Sequence, residues 1–185
     1  MKQNFGTQSW LFPMPVLIIS AYDENDVPCA MNAAWGMISS ADKISMCLSP
    51  GHKTVKDILD RGDFTVAIGD EDNMVQCDYV GIVSANDVPD KVARAGWTVT
   101  KSEFVDAPVI NELNMELHCK LISYNPDTHI MVGRIVNVSA DEEVMTDGHI
   151  DPKKLKPISY DPVNHKYLTM GEIIGNAFAD GAKLK

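Results

Sequence analysis

The chain has 185 residues, enough for one compact domain with a sizeable core, and its 45% hydrophobic and 23% charged residues exclude a disordered, collagen-like or membrane-spanning polymer. Sixteen Lys and Arg against 26 Asp and Glu leave a formal charge of -10. That charge opposes nucleic acid and anionic membrane as partners, though a few cations held by the fold can still bind one small anion. Cys29, Cys47, Cys77 and Cys119 are scattered, with no C-x-x-C pair and no zinc spacing, so free thiols in a reducing, cytoplasmic compartment are expected and no metal site. Pro13 and Pro15 interrupt the apolar run from Trp10 to Ile19, which argues against a secretory signal.

In chain order, Pro15 to Tyr22 reads as a strand, the turn Asp23-Glu24-Asn25-Asp26 follows, and Val27 to about Ser39 reads as its hairpin partner. Lys43 to Ser49, Phe64 to Gly69 and Trp97 to Val105 are further short strands. Leu113, Met115, Leu117, Cys119 and Leu121 alternate with polar residues at a period of two, which predicts one face in the core and one in water. After a turn at Asn125-Pro126-Asp127, Ile130 to Val138 completes a long antiparallel hairpin, buried more evenly on both faces, with Gly133 marking a bulge or a close backbone approach. Helices are few: Thr54 to Asp60, a turn or two around Glu71 to Tyr79, and Gly171 to Phe178. Asp151 to Met170 reads as an arm lying over the domain. Many short strands with few helices point to a closed or split antiparallel barrel rather than a doubly wound parallel sheet.

Three stretches can carry chemistry. Leu48 to Thr54 runs from a strand end through Pro50 and Gly51 into a helix, and a helix start with free N–H groups, a Thr hydroxyl, Lys53 and His52 is a cradle for a phosphate monoester. The same residues suit an ordinary cap, with Ser49 at the N-cap and Pro50 at the first helical position. Asn32-Ala33-Ala34-Trp35-Gly36 offers small residues and a flat apolar wall for a planar ring, or else a tight barrel interior with Trp35 as core. Gly81, Ser84 and Asp90-Lys91 form a small-residue loop followed by a cation that, on residue type alone, is a solvated surface lysine. No H-E-x-x-H, G-x-S-x-G, P-loop or G-x-G-x-x-G occurs, so neither a nucleophilic triad nor the usual dinucleotide fold is present.

The ordered set Pro13-x-Pro15-Val16, Asn32-x-Ala34-Trp35, Ser49-x-x-His52-x-Thr54, Phe64-x-Val66, Gly81-x-x-Ser84, Asp90-Lys91, Ala107-Pro108-x-Ile110, His129-x-x-x-Gly133 and Pro157-Ile158-x-Tyr160 resembles the flavin reductase-like family with an FMN-binding split barrel, its flavoredoxin-like members above all. No single motif is specific, but the order spans about residues 12–171 of one domain, 1–185. The resemblance implies a mainly β fold, a six-stranded Greek-key split barrel with a few short helices, and a homodimer with one FMN per subunit near the interface. It places Asn32, Ala33, Ala34 and Trp35 beside the ring or ribityl chain, Ser49, His52, Lys53 and Thr54 on the phosphate, and Gly81, Ser84, Lys91, His129 and Tyr160 (or Tyr167) near the flavin. It also implies electron transfer from NADH or NADPH through FMN to free flavin, a ferric chelate or a protein, the chemistry residing on the flavin with no catalytic side chain. A carrier that holds FMN without oxidising pyridine nucleotide, and an interaction domain with no cofactor, are the alternatives.

Overall fold

A computed structural model describes residues 1–184. The strands are β1 (Met14–Pro15), β2 (Leu17–Tyr22), β3 (Pro28–Ala33), β4 (Gly36–Ser40), β5 (Lys43–Cys47), β6 (Asp63–Ile68), β7 (Val99–Lys101), β8 (Pro108–Ile110), β9 (Met115–Asn125), β10 (Ile130–Ala140), β11 (Met145–Thr146), β12 (His149–Ile150), β13 (Ile158–Asp161) and β14 (Lys166–Thr169). The helices are α1 (Lys53–Arg61), α2 (Met74–Ile82), α3 (Lys91–Arg94) and α4 (Pro152–Leu155), and none is long and apolar enough to cross a membrane.

Seven strands form one antiparallel sheet in the order β3-β2-β6-β9-β10-β5-β4. The β9–β10 hairpin separates β5 from β6, so the chain leaves β5, crosses through α1 and returns three strands away, a Greek-key excursion that lays the helix across one end of the sheet. The two edge strands, β3 and β4, are consecutive in the chain and joined by Ala34 and Trp35 alone, which curls the sheet into a split barrel. The expected single strand from Val27 to Ser39 is therefore two. Gly36 sits where the wall folds over, and a Cβ there would lie 2.6 Å from Leu17 Cδ1 and 3.0 Å from Met46 Cγ.

The continuous apolar run of β2 is explained by burial on both faces. Leu17, Ile19 and Ala21 point inward with Met31, Met46, Phe64, Val66, Leu117, Cys119 and Met131, and the α1 residues Val55 and Ile58 close the end. Val16 and Ile18 point outward, where Ala30 and Ala67 pack with Cys77, Val80, Val92, Trp97 and Ile158. Gly133 shows both features expected of it: the β9–β10 register shifts between Val132 and Gly133, and an added Cβ would meet Phe64 Cζ at 2.4 Å.

Several expectations need correction. Trp97 to Val105 is strand only over β7, because Ser102 Oγ accepts from the N–H groups of Phe104 (3.0 Å) and Val105 (3.2 Å) and turns the chain. The arm from Asp151 to Met170 carries α4, capped by Asp151 Oδ1 accepting from Lys153 N, and then the β13–β14 hairpin, which pairs with β1. Residues 171–178 are not helical; Gly171 and Gly175 each cost about 1 kcal/mol against Ala, and so short a segment without packing does not nucleate. Val136 and Val138 of β10 are exposed, not evenly buried.

The polar face of β9 is wet at Lys120 but not along its whole length. Glu116 and His118 are buried, with Phe104 at 5.0 Å centroid distance from the imidazole. His118 Nδ1 lies 2.8 Å from Ser102 Oγ and Nε2 lies 2.7 Å from Ser139 Oγ. Burial lowers the pKa of His118 and pushes Glu116 up to about 7, Asp141 adding to the effect on Glu116. A carboxyl raised in the folded state favours folding below its unfolded pKa and loses that contribution as pH rises through the folded value. Glu116→Gln should therefore lose this component of the native protein's weakening between about pH 4.5 and 7, the gap between the two growing to the order of 3 kcal/mol by pH 8. Urea unfolding of both proteins at pH 5 and 8 measures it, and parallel curves would refute it.

Candidate functional site

Two cavities meet along β3 and α2, sharing Asn32, Gly81 and Ile82. The first, about 200 Å³, is lined among others by Cys29, His52, Thr54, Ser84 and Lys91. The second, about 330 Å³, is lined by Ala33, Ala34, Asp78, Tyr160 and Tyr167 as well. Gly81 lets α2 approach β3 closely; a Cβ there would sit 3.0 Å from Asn32 Cβ.

The first cavity presents hydrogen-bond donors. His52 is the N-cap of α1 with no side-chain cap, and among the described residues the N–H groups of Lys53 and Thr54 find no acceptor, while those of Val55 and Lys56 both turn back to the His52 carbonyl. The ordinary capping alternative thus fails: Ser49 and Pro50 precede the helix, and Ser49 lies outside the cavity lining with its carbonyl accepting from His52 N at 3.3 Å. Thr54 is buried at the cavity wall, its Oγ1 3.0 Å from Cys29 Sγ.

Lys91, which the family resemblance places near the flavin, lines this cavity. It is 3% exposed rather than solvated, because α3 sets it against the end of α2, where Nζ donates to the carbonyls of Val80 (2.9 Å) and Val83 (2.7 Å). An ammonium has three donors, and among the described residues no carboxylate pairs with this one. Burial lowers the Lys91 pKa, burial and then the Lys91 charge lower that of His52, and burial raises that of Cys29. A buried cation without a counterion, beside two free main-chain donors at the positive end of a helix, is a demand for an anion. Residue type gave no sign of this, since only the tertiary contact of α3 with α2 buries the lysine.

Lys53, expected to grip the phosphate, lines the cavity but directs its ammonium elsewhere, to Asp23 Oδ2 at 3.2 Å and Asp57 Oδ1 at 3.0 Å. Asp57, one turn along α1 and buried, competes for it successfully.

The second cavity has an aromatic wall and an acceptor-rich corner. Tyr160 and Tyr167 are partners across the β13–β14 register, their rings 6.3 Å apart, opposite Ala33 and Ala34. Tyr167 Oη donates to Asp78 Oδ1 at 2.8 Å, and Tyr160 Oη lies 2.7 Å from His165 Nδ1. Burial first and the Asp78 interaction second hold the Tyr167 phenol well above its usual pKa. Trp35 is not part of this cavity. It is 53% exposed and lines a separate apolar groove with Leu11, Pro13, Met37 and Ile130, continuous with the second cavity through Ala34. His129 precedes Ile130 on that side, where its carbonyl accepts from Leu48 N at 2.8 Å. The structure thus gathers Asn32, Ala33, Ala34, His52, Lys53, Thr54, Gly81, Ser84, Lys91 and Tyr160 along the two cavities and leaves Ser49, Trp35 and His129 outside their lining.

Residues 9–159 match the family model described as flavin reductase like domain. Among solved structures, flavoredoxin of Desulfovibrio vulgaris (Miyazaki F) superposes with a TM-score of 0.94 at 33% identity, covering 98% of this chain and 100% of that one. Flavoredoxin from Methanosarcina acetivorans gives 0.90 at 24%, covering 100% of both chains. An FMN-binding domain of a flavin reductase-like enzyme from Shewanella baltica OS155 gives 0.76 at 22%, covering 88% of each.

The division of labour between the two lysines is open to direct test. Inorganic phosphate at saturating concentration should raise the unfolding midpoint of the native protein, and Lys91→Met should weaken phosphate at least tenfold, about 1.4 kcal/mol, whereas Lys53→Met should keep the phosphate response while losing stability. Equal losses of affinity in the two variants would put the anion elsewhere.

Proposed function

This chain belongs to the flavin reductase-like family, and from that premise we propose that it is an FMN-dependent oxidoreductase that passes electrons from NADH or NADPH to free flavin, a ferric chelate or a protein acceptor. The observation that carries the reading is the buried Lys91 ammonium, without a counterion, opening with the free N–H groups of Lys53 and Thr54 on a cavity that continues to an aromatic wall. A phosphate monoester joined by a polar chain to a planar ring suits that sequence of donors and surfaces. FMN, when bound, supplies the acceptance of a hydride and the release of electrons singly or in pairs.

The protein's part is to hold and to exclude. Lys91, the start of α1 and Thr54 would hold the phosphate, with His52 and Ser84 at the rim. Asn32 lies between the two cavities, suited to the polar chain, and Ala33 and Ala34 leave room for a ring against Tyr160 and Tyr167. The 33% identity to a flavoredoxin over nearly the whole chain favours a second reading, an electron carrier that pyridine nucleotide does not reduce.

A second copy of the chain is the occupant we assign to the apolar groove beside Trp35. Met37 of edge strand β4 lines it, Ile38 of β4 and Val138 of β10 line an adjoining apolar pocket that shares Met37, and all three are large and exposed, an apolar surface suited to burial against a partner. The homodimer would bring that surface to the side of the ring cavity. The buried free thiols Cys29, Cys77 and Cys119 fit a reducing, cytoplasmic setting.

The purified protein should show flavin absorbance or take up one FMN per chain, and should bind riboflavin at least tenfold more weakly than FMN because the phosphate grip, about 1.4 kcal/mol or more, is missing. Anaerobic bleaching by NADH or NADPH supports the reductase; bleaching by dithionite alone supports the carrier; a protein that never takes up FMN ends both. Ile38→Glu should convert a dimer to monomers in sedimentation equilibrium, and a wild-type monomer would remove the interface.

A further inference from the structure

The two cavities are opposite in electrostatic character. The first presents donors and a cation, whereas no Lys or Arg lines the second, whose charged group is the Asp78 carboxylate. Asp78 makes no ion pair among the described residues; its one side-chain partner is the Tyr167 hydroxyl, 2.8 Å from Oδ1. Asn32 spends its amide hydrogens on the Cys77 carbonyl (2.9 Å) and, at 3.4 Å, on Tyr167 Oη, so its own carbonyl oxygen is left as an acceptor where the cavities join. Tyr167 is in turn fixed by the β13–β14 pairing, which holds the carboxylate through a strand rather than a loop. A ligand here meets acceptors and a negative charge.

This polarity bears on any group that gains charge in the second cavity. A flavin ring that takes up two electrons and one proton gains one net negative charge. A carboxylate in the wall, screened less than it would be in water, opposes that gain and leaves the oxidised ring unaffected. We propose that Asp78, positioned by Tyr167, sets the reduction potential of bound FMN low and so makes the reduced protein a stronger electron donor. The inference rests on FMN occupying the cavities as proposed above, and gives Asp78 a positioning and tuning role with no covalent part in the reaction.

The test is a spectroelectrochemical titration of the FMN-loaded protein, with FMN stoichiometry recorded for each variant. Asp78→Asn should raise the midpoint potential by at least tenfold in the reduction constant, about 30 mV for a two-electron couple. Asp78→Glu, which keeps the charge, should keep the native potential, a rescue that a purely structural role of Asp78 does not predict. An unchanged potential in Asp78→Asn, or an equal shift in Asp78→Glu, overturns the proposal while leaving FMN binding intact. Failure of the native protein to load FMN removes the reading beneath it.

Discussion

Everything in this structure follows from a sheet whose two edge strands are neighbours in the chain. Only Ala34 and Trp35 separate the end of β3 from the start of β4, yet the two strands lie at opposite edges of seven. From Ala33 to Gly36 an extended chain reaches at most about 11 Å, so the edges are drawn together and the sheet has to curl. Closure is incomplete because the connection crosses the gap as irregular chain instead of pairing across it. The split, the small residues in it and the ring-sized space beside Ala33 and Ala34 share that one cause. The Greek-key crossing from β5 to β6 then lays the start of α1 close to the same place, and α2 closes the other side against Asn32 with only Gly81 between.

Around this split the protein sorts charge by position rather than by composition. The chain as a whole is strongly acidic, and among the described residues many of its cations are paired at the surface or in half-buried clusters such as Lys53 with Asp23 and Asp57. Lys91 is different because its partners are carbonyl oxygens at the end of α2, which orient the ammonium and leave its full charge uncancelled. The negative counterpart, Asp78, sits on the same helix, two and five residues before the Val80 and Val83 carbonyls, and faces the adjoining cavity. One short helix thus carries a cation-binding end and an anionic flank. Any ligand that bridges the two cavities is oriented by the sign of its ends.

Sequence periodicity exposed most of the strands, both halves of the long hairpin and the special place of Gly133, because those are local consequences of which side chains can be buried at a period of two. It failed where burial comes from elsewhere in the chain. Glu116 and His118 look like the wet side of β9 until the Ser102–Val105 turn covers them, and Val136 and Val138 look like core although nothing in the same chain covers them. The arm after Asp151 showed no periodicity because its strands are four residues each and pair with a two-residue strand near the other end of the chain.

Of the site, the order of motifs along the chain identified β3, the start of α1, the loop after α2 and Tyr160, since a helix start and a run of small residues are properties of adjacent residues. Residue types and spacing alone pointed to a β-rich domain whose net charge opposes polyanions, with the makings of a phosphate cradle and no metal or nucleophile motif. Which lysine keeps an unpaired charge at that cavity was decided by tertiary structure. Lys53 is nearer in sequence but is taken by carboxylates one helical turn and one hairpin away, and Lys91 is remote in sequence but is driven inward by the packing of α3 on α2. Charge can be counted along a chain, but its burial and its partner exist only once distant segments have met.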